Sequence, residues 1–265
     1  MEYRYIDAHC HVQFDDYAHD QEDVIARMKE NGIGGIVVGV DRASSERAVA
    51  LAEAHEHLFA AVGVHPNLVG HEPFDADAFR ALAAHPKTVA IGECGFDFYR
   101  TEPTDEAVAA ERAAFLAHAA LAAELDKPLI IHARPTKGTV DAYTTLIDAI
   151  KEAQAAHGSA VRGDVHFFVG GVHEAEALFA LGFTVSFTAV ITFARDYDAV
   201  IRTAPLDRIL SETDAPYLSP AQRRRERNDP LAVEEVVRQI AEIRGEDLEA
   251  VRAALCANAR RLFDI

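Results

Sequence analysis

Cysteine, long apolar runs and basic residues are all scarce in this chain of 265 residues. The three cysteines, Cys10, Cys94 and Cys256, are odd in number and far apart, so they do not indicate a disulfide framework. No apolar run approaches the roughly 20 residues that cross a bilayer, and the N-terminal stretch lacks the regions of a signal peptide. We therefore expect free thiols, no membrane association, a cytoplasmic location and no obligate protein partner.

The shortage of positive charge limits the possible partners. Lys and Arg number 26 against 43 Asp and Glu, which gives a formal net charge of −17 and argues against a broad nucleic-acid-binding face. A small site that holds the end of a nucleic acid strand is still compatible with this charge, because some of the acidic residues could be ligands of a metal site. Composition alone favours a solvated loop for the basic run "RRRER", residues 223–227.

Eight short apolar runs alternate with longer helical patterns, which is typical of βαβ units and a parallel sheet. Thr104 or Asp105 is expected to cap one long helix, and Asp229, followed by Pro230, the first of two helices after the last strand. This pattern predicts an α/β fold with a single domain over residues 1–265, a (β/α)8 TIM barrel, with a doubly wound open sheet as the alternative. The predicted strands are "YIDAHC", "GGIVVGV", "LFAAVGVHP", "VAIGECGF", "PLIIHA", "DVHFFV", "FTVSFTA" and "RILSETDAP".

Side chains that can bind metal fall at or near the C-terminal ends of these strands. In a closed barrel those ends converge on one mouth, so the side chains are expected to share one site. Imidazoles with carboxylates suit zinc, manganese, iron or nickel, whereas magnesium prefers oxygen ligands alone. The set comprises His9, His11, His65, Glu93, His132, His166 and Asp214.

Two of these residues suggest a hydrolytic reaction. Glu93 is the only carboxylate that ends a middle strand, so it is the expected bridge between two divalent cations about 3.5 to 4 Å apart. Asp214 is then expected to accept a proton from the water that the ions activate. The residues therefore predict metal-assisted hydrolysis with Glu93 and Asp214 in catalytic roles, while the identity of the ions stays open among magnesium, manganese, zinc, iron and nickel.

The first strand, "DAHCH", contains more metal-binding types than one ion needs. Strand side chains alternate, so Asp7, His9 and His11 are expected on one face and Ala8 and Cys10 on the other. Asp7 is expected to orient an imidazole from behind, and Cys10 to pack as a small hydrophobe. The other histidines that we assign to helices or loops at the surface include His55, His57, His85, His118 and His157.

The ordered motifs "DAHCH", "GVHP", "IGECGFDFY", "IIHARP", "VHFFVGG" and "LSETDAPYLSP" resemble the TatD family of metal-dependent hydrolases over nearly the whole chain. The resemblance implies a metal-dependent deoxyribonuclease, in several members a 3′ to 5′ exonuclease, and in some members a deacylase of D-aminoacyl-tRNA. It also implies that one ion binds His9, His11 and Asp214, that the second binds His132 and His166, and that Glu93 bridges them.

The resemblance implies substrate contacts as well. His65 would lie beside the ions and face the substrate phosphate or a further ion. Arg224, Asn228 and Pro230 match the family's "R-G-x-x-N-x-P" loop, which implies a loop that grips phosphate through the planar fork of arginine. The expected partner is a nucleic acid strand end or another phosphodiester.

The chain departs from the family pattern where substrate would be held. The fifth strand ends in His132, Ala133, Arg134 and Pro135, where "H-T-R-D" is common, so an acidic residue is missing. Val169 replaces a hydroxyl residue after the sixth strand, and Arg223 and Arg225 replace His and Gly in the late loop. An amide, ester or lactone hydrolase and a metal-binding protein without catalysis therefore stay open beside the phosphodiesterase.

Overall fold

Eight parallel strands form a barrel in the computed structural model, which describes residues 3–265. Each strand pairs with the next in chain order, and β8 returns to β1. This last contact is short: a bridge joins Cys10 to Ala215, and the Asp214 amide donates to the His9 carbonyl at 2.9 Å. The (β/α)8 barrel and all eight predicted strands are confirmed. The strands are β1 (Tyr5–Cys10), β2 (Ile33–Val38), β3 (Leu58–Val62), β4 (Thr88–Asp97), β5 (Leu129–Arg134), β6 (Gly163–His166), β7 (Thr184–Phe187) and β8 (Ile209–Ser211).

Helices surround the barrel and begin where local capping chemistry permits. The Thr104 hydroxyl accepts from the Ala107 amide at 3.2 Å and caps α4, which confirms Thr104 as the cap. Asp229 caps a short 3-10 turn, Pro230–Ala232, that leads into α8. The helices are α1 (Gln21–Glu30), α2 (Arg42–Ala54), α3 (Ala76–Ala83), α4 (Asp105–Glu124), α5 (Asp141–His157), α6 (Val172–Ala180), α7 (Asp198–Thr203), α8 (Val233–Arg244) and α9 (Leu248–Phe263).

The pattern of α8 shows why these segments lie against the barrel. Its buried apolar residues recur at helical spacing, including Val233, Val236, Val237 and Ile240, so one face of the helix packs inward. The helix ends at Gly245, whose φ of +67° is the left-handed conformation that glycine adopts at low cost. Within residues 3–265, no helix is both long and apolar enough to cross a membrane.

Alternate strand residues divide between two apolar clusters. Ile36, Ile130 and Leu210 belong to the smaller cluster, and because their strands are not neighbours, this cluster fills the barrel interior. The residues next to them in sequence, such as Val37 and Ile131, belong to the larger cluster between strands and helices. The interior apolar packing leaves the C-terminal mouth to polar side chains.

Strict alternation fails in β1. Ala8 joins Ile6 in the interior cluster, whereas Cys10 packs in the larger cluster, so the two do not share a face as expected. The pairing of β1 with β2 shifts register between Asp7 and Cys10, and such an irregularity adds a residue to one face. The expected outward position of Cys10 is confirmed; its thiol donates to the Ile36 carbonyl at 3.4 Å.

Two histidines that were expected at the surface are buried. His118 is fully buried in α4, where its Nε2 accepts from the Val64 amide at 3.0 Å and its Nδ1 lies 2.7 Å from the Ala114 carbonyl. His57 is 2% exposed, with Nε2 3.1 Å from the Ile25 carbonyl. The surface assignment of both was wrong, because backbone partners offset the cost of burying a neutral imidazole.

Candidate metal centre

The local structure of β4 directs Glu93 into the mouth. Gly92 and Gly95 have φ values of +148° and +136°, and the pairing with β5 shifts register between Ile91 and Cys94. A Cβ on Gly92 would lie 2.3 Å from the Ile130 carbonyl oxygen, so only glycine allows this close approach of the strands. The irregular strand leaves the Glu93 carboxylate buried at the centre of the mouth.

One oxygen of Glu93 faces a first group of ligand-type atoms. Glu93 Oε2 lies 3.5 Å from His9 Nε2 and 4.0 Å from His11 Nε2. The two imidazole nitrogens are 3.1 Å apart, and Asp214 Oδ1 lies 3.4 Å from His11 Nε2 and 3.9 Å from His9 Nε2. His9, His11 and Glu93 lie close enough together to hold one ion, and Asp214 adjoins both histidines.

The other oxygen of Glu93 faces a second group. Glu93 Oε1 lies 3.0 Å from His132 Nδ1 and 2.9 Å from His166 Nε2, and the two nitrogens are 3.3 Å apart. His65 Nε2 approaches the same oxygen to 3.4 Å. The structure therefore brings together all seven side chains that were expected to share the mouth, with Glu93 between the two groups.

Buried partners lie behind the imidazoles. His11 Nδ1 is 2.8 Å from the Val38 carbonyl, and His132 Nε2 is 3.2 Å from Asp97 Oδ2. Glu212 Oε2 lies 3.6 Å from His166 Nδ1 and 3.9 Å from His9 Nδ1, so one carboxylate faces an imidazole of each group. Partners of this kind fix which ring nitrogen points at the ion.

Sequence reasoning missed Asp97 and Glu212. Both stand in motifs that were recognised, "IGECGFDFY" and "LSETDAP", and both are 0% exposed. The available signal was an acidic residue a few positions from a ligand, Glu93 or Asp214, in an otherwise apolar strand end. Adjacent acidic residues do not by themselves show which one faces an imidazole, since that depends on the path of the chain after the strand.

Asp7 has different partners from those expected. Its carboxylate accepts from the Thr213 amide at 2.9 Å, the Thr213 hydroxyl at 2.6 Å and the His9 amide at 3.2 Å, rather than from an imidazole. Asp7 thus ties the end of β1 to the residue before Asp214. Asp214 itself has φ +52°, a left-handed conformation that is unfavourable for a residue other than glycine. The hydrogen bonds between Asp7 and Thr213 help to offset this backbone strain.

The late loop also differs from the expectation. Asn228 is 0% exposed, and its Nδ2 donates to the carbonyls of Thr213 at 3.1 Å and Tyr217 at 2.7 Å. It holds the turn that carries Asp214 and has no polar atom left for substrate, because its Oδ1 accepts from the Asp229 amide. The Arg224 guanidinium stacks over Phe193 at 3.6 Å, and neither Arg224 nor Asn228 is among the described residues that line the mouth.

The electrostatics favour ionised carboxylates. Burial raises the pKa of Glu93, but His65, His166 and His132 outweigh burial and hold that pKa well below its ordinary value. Burial also opposes ionisation of Asp214, yet His11, His9 and His166 lower its pKa. Both carboxylates are therefore available as anionic ligands at neutral pH.

The donor set fits divalent cations of the transition series. Imidazole nitrogens that face one another at 3.1 and 3.3 Å, beside ionised carboxylates, need positive charge among them. Burial lowers the pKa of His166, but Glu93 and Glu212 outweigh it and raise that pKa well above its usual value, so the site attracts a proton or a metal ion. His9 Nδ1 and His166 Nδ1 are buried without a hydrogen-bond partner in the described structure, and Glu212 is placed to accept from them.

A cleft of about 940 Å³ opens above these residues. Its floor includes His11, Glu93, His132 and Asp214, and its walls include aromatic and basic side chains of the loops after β4, β5 and β8. Phe167, which follows His166, lines the cleft with φ +44°, and its amide donates to Glu212. Strained non-glycine residues thus adjoin both groups of ligand-type atoms.

Known proteins share this sequence and architecture. The sequence model of the family described as TatD related DNase matches residues 6–264. The chain is 35% identical to the uncharacterized metal-dependent hydrolase YabD of Bacillus subtilis, with 98% of each chain covered, and 35% identical to the 3′-5′ ssDNA/RNA exonuclease TatD of Pectobacterium parmentieri, with 93% and 94% covered. The crystal structure of YjjV, a TatD homolog from Escherichia coli K12, superposes with a TM-score of 0.87 at 28% identity and full coverage of both chains. A match across almost the whole chain, over a mouth built from histidines and carboxylates, shows that this protein belongs to the TatD family and is a metal-dependent hydrolase.

Proposed function

We propose that this protein is a 3′ to 5′ exonuclease that removes nucleotides from single-stranded DNA ends with two divalent cations. The observation that carries the proposal is the position of Glu93: one carboxylate oxygen faces His9, and the other faces His132 and His166. A carboxylate between two groups of imidazoles would allow two bound ions to stabilise the attacking and leaving oxygens of an in-line displacement at phosphorus. The exonuclease relative named above supports the choice of substrate.

The ligands divide as the geometry suggests. His9, His11 and Asp214 would hold one ion, His132 and His166 the second, and Glu93 would bind both. When bound, the ions would supply an acidified water and stabilise the charge that develops on the phosphate. The imidazoles of His9, His132 and His166 would stay oriented by Glu212 and Asp97 behind them.

The proton and the phosphate would be handled by residues at the edge of the site. Asp214 is ionised and 8% exposed, so its carboxylate can accept the proton of the attacking water. His65 Nε2 lies 3.4 Å from Glu93 Oε1 and faces the cleft, where it can contact a phosphate oxygen. Basic side chains line the cleft, which favours a nucleic acid strand with further phosphates beyond the scissile one over a neutral ester.

A panel of end-labelled substrates tests the proposal. Wild-type protein with manganese, magnesium or zinc is incubated with 3′-labelled and 5′-labelled single-stranded DNA, duplex DNA, RNA, D-aminoacyl-tRNA and a neutral ester. We expect stepwise shortening of 5′-labelled single-stranded DNA and immediate release of a 3′ label. EDTA should abolish both.

Matched carboxylate variants complete the test. Glu93→Gln keeps the shape of the side chain but removes the charge shared by both ions, so its activity should fall by more than about 100-fold. Glu111→Gln, a buried carboxylate that accepts from the Asp97 amide at 3.3 Å, serves as the control and should remain active. Equal activity of Glu93→Gln and wild type, or turnover of D-aminoacyl-tRNA without DNA cleavage, would overturn the proposal.

A further inference from the structure

Three basic side chains without acidic partners lie together at one edge of the cleft. Arg100 follows β4, and Arg134 and Lys137 lie at and after the end of β5. None of the ion pairs among residues 3–265 includes any of the three, although most surface arginines of this acidic chain, such as Arg112 and Arg227, pair with a carboxylate. Pro135, which stands where an acidic residue is common in the family, adds no negative charge beside them.

An exposed aromatic ring belongs to the same edge. Tyr99 is 56% exposed, the highest value among the three exposed large hydrophobic side chains in the described part of the chain. The Arg134 guanidinium lies over its ring at 4.0 Å from the centroid. The exposed ring lines the cleft beside the three basic side chains, where a bound strand can reach it. We call Tyr99, Arg100, Arg134 and Lys137 the cationic rim.

Asp97 joins the backbone of the cationic rim to the metal centre. Asp97 Oδ1 accepts from the amides of Tyr99 at 3.0 Å and Arg100 at 2.9 Å, while Asp97 Oδ2 faces His132 Nε2 at 3.2 Å. The Phe98 amide donates to the Arg134 carbonyl at 2.8 Å and joins the two loops. The backbone of Tyr99, Arg100 and Arg134 is therefore held close to His132 before substrate arrives.

We propose that the cationic rim binds a nucleotide next to the scissile bond: its basic side chains hold the phosphate, and Tyr99 stacks against the base. This inference rests on the proposed function and deepens it, because it names the residues that select a flexible, unpaired strand. A base can reach the ring of Tyr99 only after leaving a duplex stack, whereas every unpaired base offers a face to it. The rim therefore predicts a preference for single strands without a preference for sequence.

The decisive test removes the base but keeps the phosphate. First-cleavage rates are measured on a single-stranded decamer, on decamers with one abasic unit on either side of the terminal bond, and on methyl p-nitrophenyl phosphate, which has no neighbouring nucleotide. For wild type, the abasic unit should raise KM by about tenfold. For Tyr99→Leu, KM for the intact decamer should rise by about the same factor, and the abasic unit should cost nothing further.

The basic side chains are tested by charge and salt. Arg134→Gln should raise KM for the decamer and reduce the slope of log KM against log salt by about 0.7, the contribution of one phosphate contact on a single strand. Arg4→Gln is the matched control, because the Arg4 guanidinium also lies over a tyrosine, Tyr5 at 5.4 Å, but at the opposite end of the barrel. Its KM and salt slope should equal those of wild type.

The small diester separates the two levels of the proposal. Both rim variants should cleave methyl p-nitrophenyl phosphate as wild type does, which also shows that they are folded. If wild type cleaves the decamer and Tyr99→Leu keeps the full abasic penalty, the rim inference is overturned and the proposed function stands. If wild type cleaves neither the decamer nor the small diester with any metal, both are overturned.

Discussion

Replacing Asp97 with asparagine should weaken the binding of one of the two proposed ions and leave the binding of the other unchanged. His132 Nδ1 lies 3.0 Å from Glu93 Oε1 and is the nitrogen that would ligate an ion, so the proton of the neutral, ligating ring would sit on Nε2, which faces Asp97 Oδ2 at 3.2 Å. Asp97 Oδ1 is held by the amides of Tyr99 and Arg100, so in Asp97→Asn the amide nitrogen would take the Oδ2 position. Two donors would then face each other, and the ring could keep its orientation only at a cost.

The expected magnitude follows from the role of such partners. Loss of a buried partner behind a ligating imidazole lowers metal affinity by about 10 to 100-fold, or about 1.4 to 2.8 kcal/mol. The donor clash places Asp97→Asn near the upper figure. His9 and His11 do not contact Asp97, so the ion proposed for His9, His11 and Asp214 should retain nearly its wild-type affinity.

Competition with a chelating dye measures this difference. Metal-free protein is titrated with zinc, and the two binding steps are compared between wild type, Asp97→Asn and the control Glu111→Gln. We expect one step to weaken in Asp97→Asn and neither step to change in Glu111→Gln. Two unchanged steps, or two equally weakened steps, would refute the assignment of Asp97 to the His132 side of the site.

Metal removal, acid and the loss of one amide have further expected outcomes. Chelation should lower the melting temperature in calorimetry, since an ion at 100 times its Kd adds about 2.7 kcal/mol to stability; an unchanged temperature would mean that the folded protein binds no metal. Burial lowers the pKa of His118 to about 4. As the pH falls, the unfolded chain therefore binds a proton at His118 before the folded protein does, and the free energy of unfolding should fall by about 3 kcal/mol between about pH 6.5 and 4. Urea unfolding of metal-free protein should show a shallower pH dependence in His118→Gln, and equal slopes would contradict a neutral buried imidazole. Asn228→Ala leaves the buried carbonyl of Thr213 and the carbonyl of Tyr217 without this donor and should cost about 1 to 3 kcal/mol in urea unfolding. A higher KM at unchanged stability would favour a substrate contact instead.

The fold and the meeting of seven side chains at the barrel mouth could be predicted from sequence for a shared physical reason. Strands buried on both faces must be short and apolar, so eight such runs separated by helical patterns leave few architectures. Six of these runs end in ligand-type residues, as with His132 and His166. Their meeting can be predicted without side-chain conformations, because the barrel itself brings the strand ends together. Glu93 followed from the same argument.

Predictions that depended on side-chain direction were less successful. Alternation in β1 failed at the register shift between Asp7 and Cys10, and the carboxylate of Asp7 reached Thr213 instead of an imidazole. Asn228 matched a loop expected to hold phosphate, yet it is buried with all its polar atoms engaged. Irregular strands and loops do not repeat, so sequence spacing carries no information on where their side chains point.

The sequence by itself determined a barrel of eight strands and the residues that gather at its mouth, since apolar periodicity and strand-end position are local properties of the chain. Only the tertiary structure decided how those residues are shared: Glu93 divides its oxygens between two groups, and Glu212 faces an imidazole of each. The structure also decided that Tyr99 and Arg134, 35 positions apart, meet at one edge of the cleft. Such contacts depend on strand register and loop path, which many distant residues fix together and no short segment encodes.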